Sequence, residues 1–461
     1  MLGVQLTELR AAEPAGAAAA LDLAAGLDDA LGDGLARLGA ERLAALTDLA
    51  GAFAATPLGP ALAEAVEKIA AGSVTDEHLA TLAGARTALF GAVHDAGLAA
   101  LDTALGRARA EWAGPATAEP AAAGPLAGCR SWLRELAIAG WRGVGRDLVS
   151  AVDQTVEALL ADPAHRRLAV LVDGLAAELR AASPVAALES LPARRWADLW
   201  SRALLLAQGG GPPADAEPVS GRLLILGADA HEHGTAVQVQ VHAVLEPAGG
   251  APPRLVRTAV GAGKVDTITG PAVWRLLQHH PKLLTALAER RALEITELPL
   301  LPGGDLLWDE ERATAAEPVD PFATARVLLP RAVAAPVPPL DRHPVLIAEP
   351  VLIEGYRSDG TTLELDGATL EIDPRRLPAC GPLTPQLVRS STACVGLLRR
   401  EGDRWLLQPL ALQATVKRKP VEAHSGDWAL GVTDPKIAKA EARAGDPVTV
   451  LRERAGRLLR K

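Results

Sequence analysis

The 461-residue sequence contains no asparagine, one methionine, one tyrosine and three phenylalanines. Without asparagine the chain has no N-glycosylation acceptor, no protein-kinase catalytic loop with its metal-binding Asn and no Cys-His-Asn hydrolase triad. Lysine is also scarce, at 8 residues against 39 arginines. Together with abundant Ala, Gly and Pro, this pattern is typical of a GC-rich genome. Residues that occur in spite of this codon bias, including nine tryptophans, are therefore informative about the structure and function of the chain.

Cysteine occurs three times, at Cys129, Cys380 and Cys394, with no CxxC or CxC spacing. An odd number of widely spaced cysteines forms neither a disulfide framework nor a zinc site. We therefore expect three buried, reduced thiols.

The sequence predicts neither a secretory signal nor a membrane span. The start, MLGVQLTELR, has no basic segment before an apolar stretch, which argues against a secretory signal. The stretch from Leu49 to Ala63 is uncharged, but it is interrupted by Pro57 and Pro60 and is shorter than the roughly 20 residues that span a bilayer. We expect a cytoplasmic protein without a membrane span.

The common hydrolase, metalloprotease and dinucleotide signatures GxSxG, HExxH and GxGxxG do not occur. The sequence therefore assigns no catalytic, cofactor-binding or metal-ligating residue, and it implies no cofactor.

Two unlike halves make up the chain, which predicts an α+β protein: an N-terminal all-helical bundle or array followed by a β-rich mixed C-terminal half. The Gly/Pro-rich segment QGGGPPADAEP is the clearest boundary between them. The predicted divisions are an Ala/Leu-rich helical domain over 1–207 with a possible subdivision at 113–124, a linker over 208–218, an α+β domain over 219–312, a β-rich domain over 313–432 and a basic helical tail over 433–461.

Tryptophans mark the helical half. Trp132 and Trp141 lie on apolar helical stripes, and Trp196 and Trp200 are four residues apart, hence on one helical face. They are either core residues of a helical bundle or contact points for a partner.

In the second half of the chain, the spacing of apolar residues changes from a helical to a strand-like pattern. TAVQVQVHAVLEP alternates as a half-buried strand does. Two hairpins are predicted, with turns at Asp366-Gly367 and at EGD before Arg404. The segment PAVWRLLQHHPKLLTALAERR is predicted to be helical, with His279 and His280 ending a helix just before Pro281.

One cluster of residues supports a metal-dependent enzyme as an alternative function. His231 and His233 share one side of a predicted strand, with Asp229 and Glu232 beside them, and two imidazoles at this spacing can chelate one ion. The other interpretation is a polar turn, HEHGT, between two strands.

The C-terminal tail is positively charged, whereas the rest of the chain is negatively charged. Residues 417–461 contain 11 Lys and Arg against 6 Asp and Glu, a net charge of +5, whereas the other 416 residues carry −14. A nucleic-acid-binding tail is one interpretation. Docking of the tail on the acidic body or on an acidic partner protein is the other.

Two helical phrases and several strands resemble the bacterial SWIM zinc-finger family. These are CRSWLRELAIAGWRGVGRDLVSAVDQ and ALESLPARRWADLWSRALLLAQ, followed by RLLILGADAHEHGTAVQVQVHAVL, HPVLIAEPVLIEGY and RWLLQPLAL. The likeness covers about two thirds of the chain as layout, but the CxC…CxH finger that names the family is absent, so no zinc or nucleic-acid residue is carried over. The resemblance implies a companion of systems that pair a MoxR-type AAA+ ATPase with von Willebrand factor A proteins, often found in actinobacteria, whose composition this chain shares.

The sequence thus favours a non-enzymatic interaction or scaffold protein, an accessory of such an ATPase system. The alternatives are a metal-dependent enzyme with a site near His231 and His233, and a nucleic-acid-binding protein that uses the tail. We expect a protein partner, and neither a nucleic acid nor a membrane partner.

Overall fold

The computed structural model describes residues 1–12, 14–113, 124–209 and 216–458. The predicted break at 113–124 and the predicted linker at 208–218 lie largely outside the described residues. The helices of the N-terminal half are α1 (Gly3–Ala11), α2 (Ala17–Asp33), α3 (Ala40–Ala52), α4 (Gly59–Ala70), α5 (Asp76–Leu105), α6 (Gly124–Ala139), α7 (Arg146–Ser150), α8 (Asp153–Leu160), α9 (Arg166–Ala181) and α10 (Ala193–Gly209).

The four tryptophans of the helical half are core residues. Trp132, Trp141, Trp196 and Trp200 are all buried in one hydrophobic cluster contributed by α2 to α10. The Trp200 indole N–H donates to the carbonyl of Leu133 at 2.9 Å, and the rings of Trp141 and Trp196 meet edge to face. Their surfaces are occupied within the fold and are not contact points for a partner.

Within residues 216–458, the C-terminal half contains two sheets and five short helices. The strands are β1 (Glu217–Glu232), β2 (Ala236–Pro247), β3 (Arg254–Gly263), β4 (Arg291–Leu300), β5 (Asp305–Leu306), β6 (Ala313–Pro318), β7 (Ala348–Glu354), β8 (Arg357–Ser358), β9 (Thr362–Leu365), β10 (Ala368–Ile372), β11 (Ser391–Glu401), β12 (Arg404–Val416) and β13 (Lys419–His424). The helices are α11 (Pro281–Ala288), α12 (Pro321–Leu328), α13 (Pro385–Arg389), α14 (Pro435–Ala444) and α15 (Pro447–Leu458). The predicted α+β class is confirmed.

The first sheet has the order β1-β2-β3-β5-β4-β6, and β1 also pairs with β4, so the sheet closes on itself. The second sheet has the order β7-β11-β12-β10-β9-β8, with β13 on β12. Both predicted hairpins are present: Asp366 and Gly367 have positive φ between β9 and β10, as a two-residue turn requires, and Gly402-Asp403 joins β11 to β12.

The helix predicted over 271–291 is divided in the structure. A 3-10 segment runs from Gly270 to Leu277, and α11 begins at Pro281. Proline has a φ fixed near the helical value and lacks a backbone N–H, and both properties suit the first position of a helix. Pro281 therefore begins α11 and does not follow the end of a helix. The prediction that His279 and His280 end a helix is therefore wrong, because they precede α11.

The two halves share a hydrophobic core. Leu6 and Leu9 of α1 and Leu98 and Leu101 near the end of α5 are buried with side chains of the second sheet. Ion pairs accompany this packing, since Glu349 of β7 binds Arg107 at 3.2 Å and Arg109 at 3.1 Å. Helices α1 and α5 of the N-terminal half therefore pack directly against the second sheet. The domain boundaries drawn from the sequence stay predictions.

The two sheets approach each other closely at a bulge in β1. Gly227 lies at the register shift between β1 and β2 with a φ of 156°. A Cβ at this position would lie 2.6 Å from the Leu410 Cβ of β12. Only glycine allows this approach, which places the following residues of β1 against the second sheet.

Two further predictions concern the burial of the three cysteines and the length of apolar helices. Cys129, Cys380 and Cys394 are buried and free, as expected. Among the described residues, no helix combines the length and apolar character needed to cross a bilayer.

Candidate binding cleft

A cleft of about 630 Å³ opens where the helical half meets the second sheet. Five separate parts of the chain form it: the middle of α2, Phe90 on α5, the start of α10, the 3-10 turn after His343 and the turn that joins β11 to β12. Its apolar lining consists of Leu21, Ala25, Phe90, Leu191, Pro192, Ala193, Pro344 and Val345. Its charged lining consists of Asp28, Asp29, Arg194, Arg195, Asp198, Arg400 and Glu401.

An aromatic stack lines the cleft. The ring of Phe90 on α5 lies parallel to the imidazole of His343, with centroids 4.3 Å apart and planes inclined by 19°. The His343 Nδ1 accepts a hydrogen bond from the Val345 N–H at 3.2 Å. Burial lowers the pKa of His343 to about 4. The imidazole is therefore neutral at pH 7 and acts as a flat, largely apolar surface.

A buried ion pair supports this stack. Arg86 of α5 donates from Nε and Nη2 to the two carboxylate oxygens of Asp28 on α2, at 2.6 and 3.2 Å. The two side chains are 1% and 4% exposed. The Arg86 guanidinium carbon also lies 4.6 Å from the centroid of the Phe90 ring. The pair thus fixes α2, α5 and the aromatic stack relative to one another.

The carboxylates around the cleft are held by arginines. Asp29 pairs with Arg42 at 3.1 Å, and Glu401 pairs with Arg375 at 2.7 Å. Asp198 lies 3.5 Å from Arg86. In contrast, the exposed guanidinium of Arg194, whose carbon is 5.9 Å from the centroid of the Phe90 ring, forms no ion pair within the described residues. The cleft therefore offers a cation beside an aromatic surface.

The neutral state of His343 makes stability depend on pH. Burial places its folded-state pKa below the value of about 6.5 in an unfolded chain. Protons therefore bind the unfolded state preferentially, and stability is lost as the pH falls from about 6.5 towards 4. We expect His343→Phe, which keeps the stack, to flatten this part of the pH profile of the urea midpoint.

His233 is the matched control for this prediction, because it is exposed. His233→Phe should leave the slope between pH 6.5 and 4 as steep as in the unmodified chain. A slope unchanged by His343→Phe would contradict the burial argument.

Asp229 and His231, two of the residues singled out in the sequence, lie together. His231 Nε2 is 2.7 Å from Asp229 Oδ2. Asp229 also accepts from Arg399 Nη2 and from Gln408 Nε2, both at 2.6 Å. Burial opposes ionisation of Asp229, but the bond from His231 and the charge of Arg399 outweigh it and hold the pKa of Asp229 well below its usual range. The carboxylate is thus a structural link from β1 to β11 and β12.

The remaining candidates do not join this pair. His233 is exposed and Glu232 is half-buried at the end of β1, while His242 of β2 is buried, and burial lowers its pKa to about 3. In the part of the chain that the structure describes, no three His, Cys, Asp or Glu side chains come together as a metal site would require.

The residues of the cleft carry no common local pattern in the sequence. Phe90 and His343 are separated by more than 250 positions, and Leu191 lies between them. One available signal is composition, because Phe90 is one of only three phenylalanines.

Comparisons with known proteins add no relative. No family model, no curated protein and no solved structure matches the chain.

Proposed function

We propose that this protein is a non-enzymatic interaction protein that holds a segment of a partner protein in the cleft between its helical half and its second sheet. The observation that carries the proposal is the Phe90–His343 stack with Arg194 beside it. It favours a partner segment with an apolar side chain next to a carboxylate.

The dimensions of the cleft support this proposal. A volume of about 630 Å³ lies within the range of binding sites that enclose a small ligand or a group of side chains. Apolar walls with a charged rim are the usual composition of an interface that takes up an anchor residue.

The polar groups of the cleft also support binding over catalysis. Both carboxylate oxygens of Asp28 receive hydrogen bonds from Arg86, and His343 Nδ1 accepts from a backbone N–H. A general acid or base must be able to exchange a proton with a substrate. Here the candidate groups are already engaged in contacts that shape the cleft.

The resemblance to SWIM zinc-finger proteins suggests the system in which the partner is found. We propose a MoxR-type AAA+ ATPase or a von Willebrand factor A protein as the partner, with this chain as an accessory. Genes for both beside the gene for this chain would agree with that assignment.

The test measures binding of the full chain to the purified MoxR-type ATPase and von Willebrand factor A protein of the same genome. Ala25 of α2 is half-buried in the cleft wall, so Ala25→Trp places an indole in the cleft. We expect the unmodified chain to bind one of the two proteins and the variant to lose at least about tenfold in affinity, as the loss of an anchor contact does.

Ala19→Trp is the matched control, since Ala19 is exposed on the same helix and does not line the cleft. It should bind as the unmodified chain does. Equal binding by Ala25→Trp would contradict the cleft as the binding site. Failure of the unmodified chain to bind either protein would contradict the proposed ATPase system.

A further inference from the structure

Helix α14 is anchored at both ends although none of its described side chains is buried. Before it, Trp428 packs into the core of the first sheet and its indole N–H donates to Thr433 Oγ1 at 3.2 Å. After it, Val448 of α15 is buried in the same core, and Asp446 pairs with Arg275 at 2.9 Å. The helix is therefore held in place by its flanks.

The sequence of α14 stabilises the helix without a packed face. Asp434 caps the N-terminus by accepting from the N–H groups of Lys436 and Ile437, at 2.7 and 3.2 Å, and Pro435 occupies the first helical position. Gly445, with a φ of 81°, ends the helix. A short helix whose described side chains are at most partly buried gains little from tertiary packing, so its caps and anchors keep it preformed.

Three cations lie on one side of this helix. At about 100° per residue, Lys436, Lys439 and Arg443 fall within an arc of about 60° and form a basic stripe. Ala438 and Glu441, the partly buried positions, lie on the opposite side, towards the body of the protein. In the described part of the chain, none of the three stripe residues forms an ion pair. The three cations of the stripe thus face outwards, away from the acidic body.

We infer that the basic stripe is a docking surface for an acidic face of a protein partner. The stripe spans seven residue steps, about 10 Å along the helix axis, which matches a row of carboxylates on one helix or strand. Arginine and lysine facing such a row give charge complementarity and faster association. Ile437, 38% exposed, lies between the stripe and the side of the helix that faces the body. This inference does not depend on the cleft.

Nucleic acid and membrane surfaces fit the stripe less well. A DNA duplex carries one charge per about 1.7 Å along its whole length, so it would extend past the stripe over a body whose net charge is −14 outside residues 417–461. A helix that binds a membrane surface carries Trp, Phe or Leu on its apolar face. α14 has Ile437 and alanines instead.

The test compares two charge reversals of equal size in the full chain. K436E/K439E/R443E reverses the stripe, and K417E/R418E/K419E reverses three exposed residues, two in the β12–β13 turn and one at the start of β13. Fluorescence anisotropy at low ionic strength measures binding to three labelled probes: a 20-residue amphipathic peptide rich in glutamate, a 20-base-pair DNA duplex, and anionic lipid vesicles.

We expect the chain to bind the acidic peptide more tightly than the duplex or the vesicles, and binding to weaken with added salt. Reversal of the stripe should reduce the affinity for the peptide by at least about tenfold, because three attractive pairs become repulsive. Reversal of the turn should change it by less than about twofold. Equal effects of the two reversals, no binding of the peptide, or tighter binding of DNA or vesicles would each overturn the inference. Since Ala25→Trp leaves the stripe intact, failure of the cleft proposal is distinguished from failure of this one.

Discussion

Replacing Arg86 by methionine is expected to lower the free energy of unfolding by about 3–5 kcal/mol, because the substitution leaves the buried carboxylate of Asp28 without its partner. Burial already raises the pKa of Asp28 while Arg86 opposes that effect. Without Arg86, Asp28 will take up a proton in the folded state at a higher pH. The deficit should therefore grow as the pH rises and shrink in acid. Urea unfolding at pH 7 and at pH 4.5 measures both effects.

Arg42→Ala is the control for this prediction. Arg42 of α3 pairs with Asp29 and Asp33, which lie on α2 as Asp28 does, but both carboxylates are about half exposed. Exposed ion pairs contribute about 0–1 kcal/mol to stability. Similar losses for Arg86→Met and Arg42→Ala would contradict the view that a buried pair organises the cleft. The double variant Arg86→Met/Asp28→Leu should recover part of the loss.

Replacing Asp229 by alanine is the second change with a large expected effect. It removes the carboxylate that binds Arg399 and Gln408 across the two sheets, and it leaves the buried guanidinium of Arg399 unpaired. We expect a loss of about 3–5 kcal/mol. Burial lowers the pKa of Arg399 to about 10, although Asp229 opposes the shift. Urea unfolding of the variant at pH 7 measures the loss.

Glu371→Ala provides the comparison, because Glu371 of β10 pairs with Arg404 where both side chains are more than half exposed. Its loss should stay below about 1 kcal/mol. Asp229→Asn should give an intermediate loss, since the amide oxygen still accepts a hydrogen bond while the charge is gone. If Asp229→Ala unfolds at the same urea concentration as Glu371→Ala, the carboxylate does not link the sheets as described.

Local sequence patterns predicted the strands, turns and helices that depend only on residues close to one another in the chain. The alternation of Val237, Val239 and Val241 places their side chains in the core of the first sheet, and Asp366-Gly367 forms the expected turn. In the tail predicted to be helical over 433–461, the structure has α14 and α15. In each case, neighbouring residues contain the full physical reason for the structure: periodic burial, a turn geometry or a helix cap.

The features that sequence patterns did not predict depend on contacts between distant residues. Phe90 and His343 stack only because α5 continues onto the second sheet. The local pattern groups Asp229 with His231 and His233 as metal ligands, whereas in the structure its charge is balanced by Arg399, 170 positions away. The pattern over 271–291 assigned the wrong position to Pro281, because a proline at a helix start and one after a helix end look alike in a single apolar pattern.

Hydrogen exchange of the chain, alone and in complex with its protein partner, tests the central claim most directly. If the partner segment occupies the cleft, amide exchange should slow in residues 21–29, 191–195, 343–345 and 400–402, which belong to four of the five parts of the cleft. The Ala25→Trp variant should show no such protection. Slowed exchange elsewhere, with these four segments unchanged, would contradict the cleft as the site of binding.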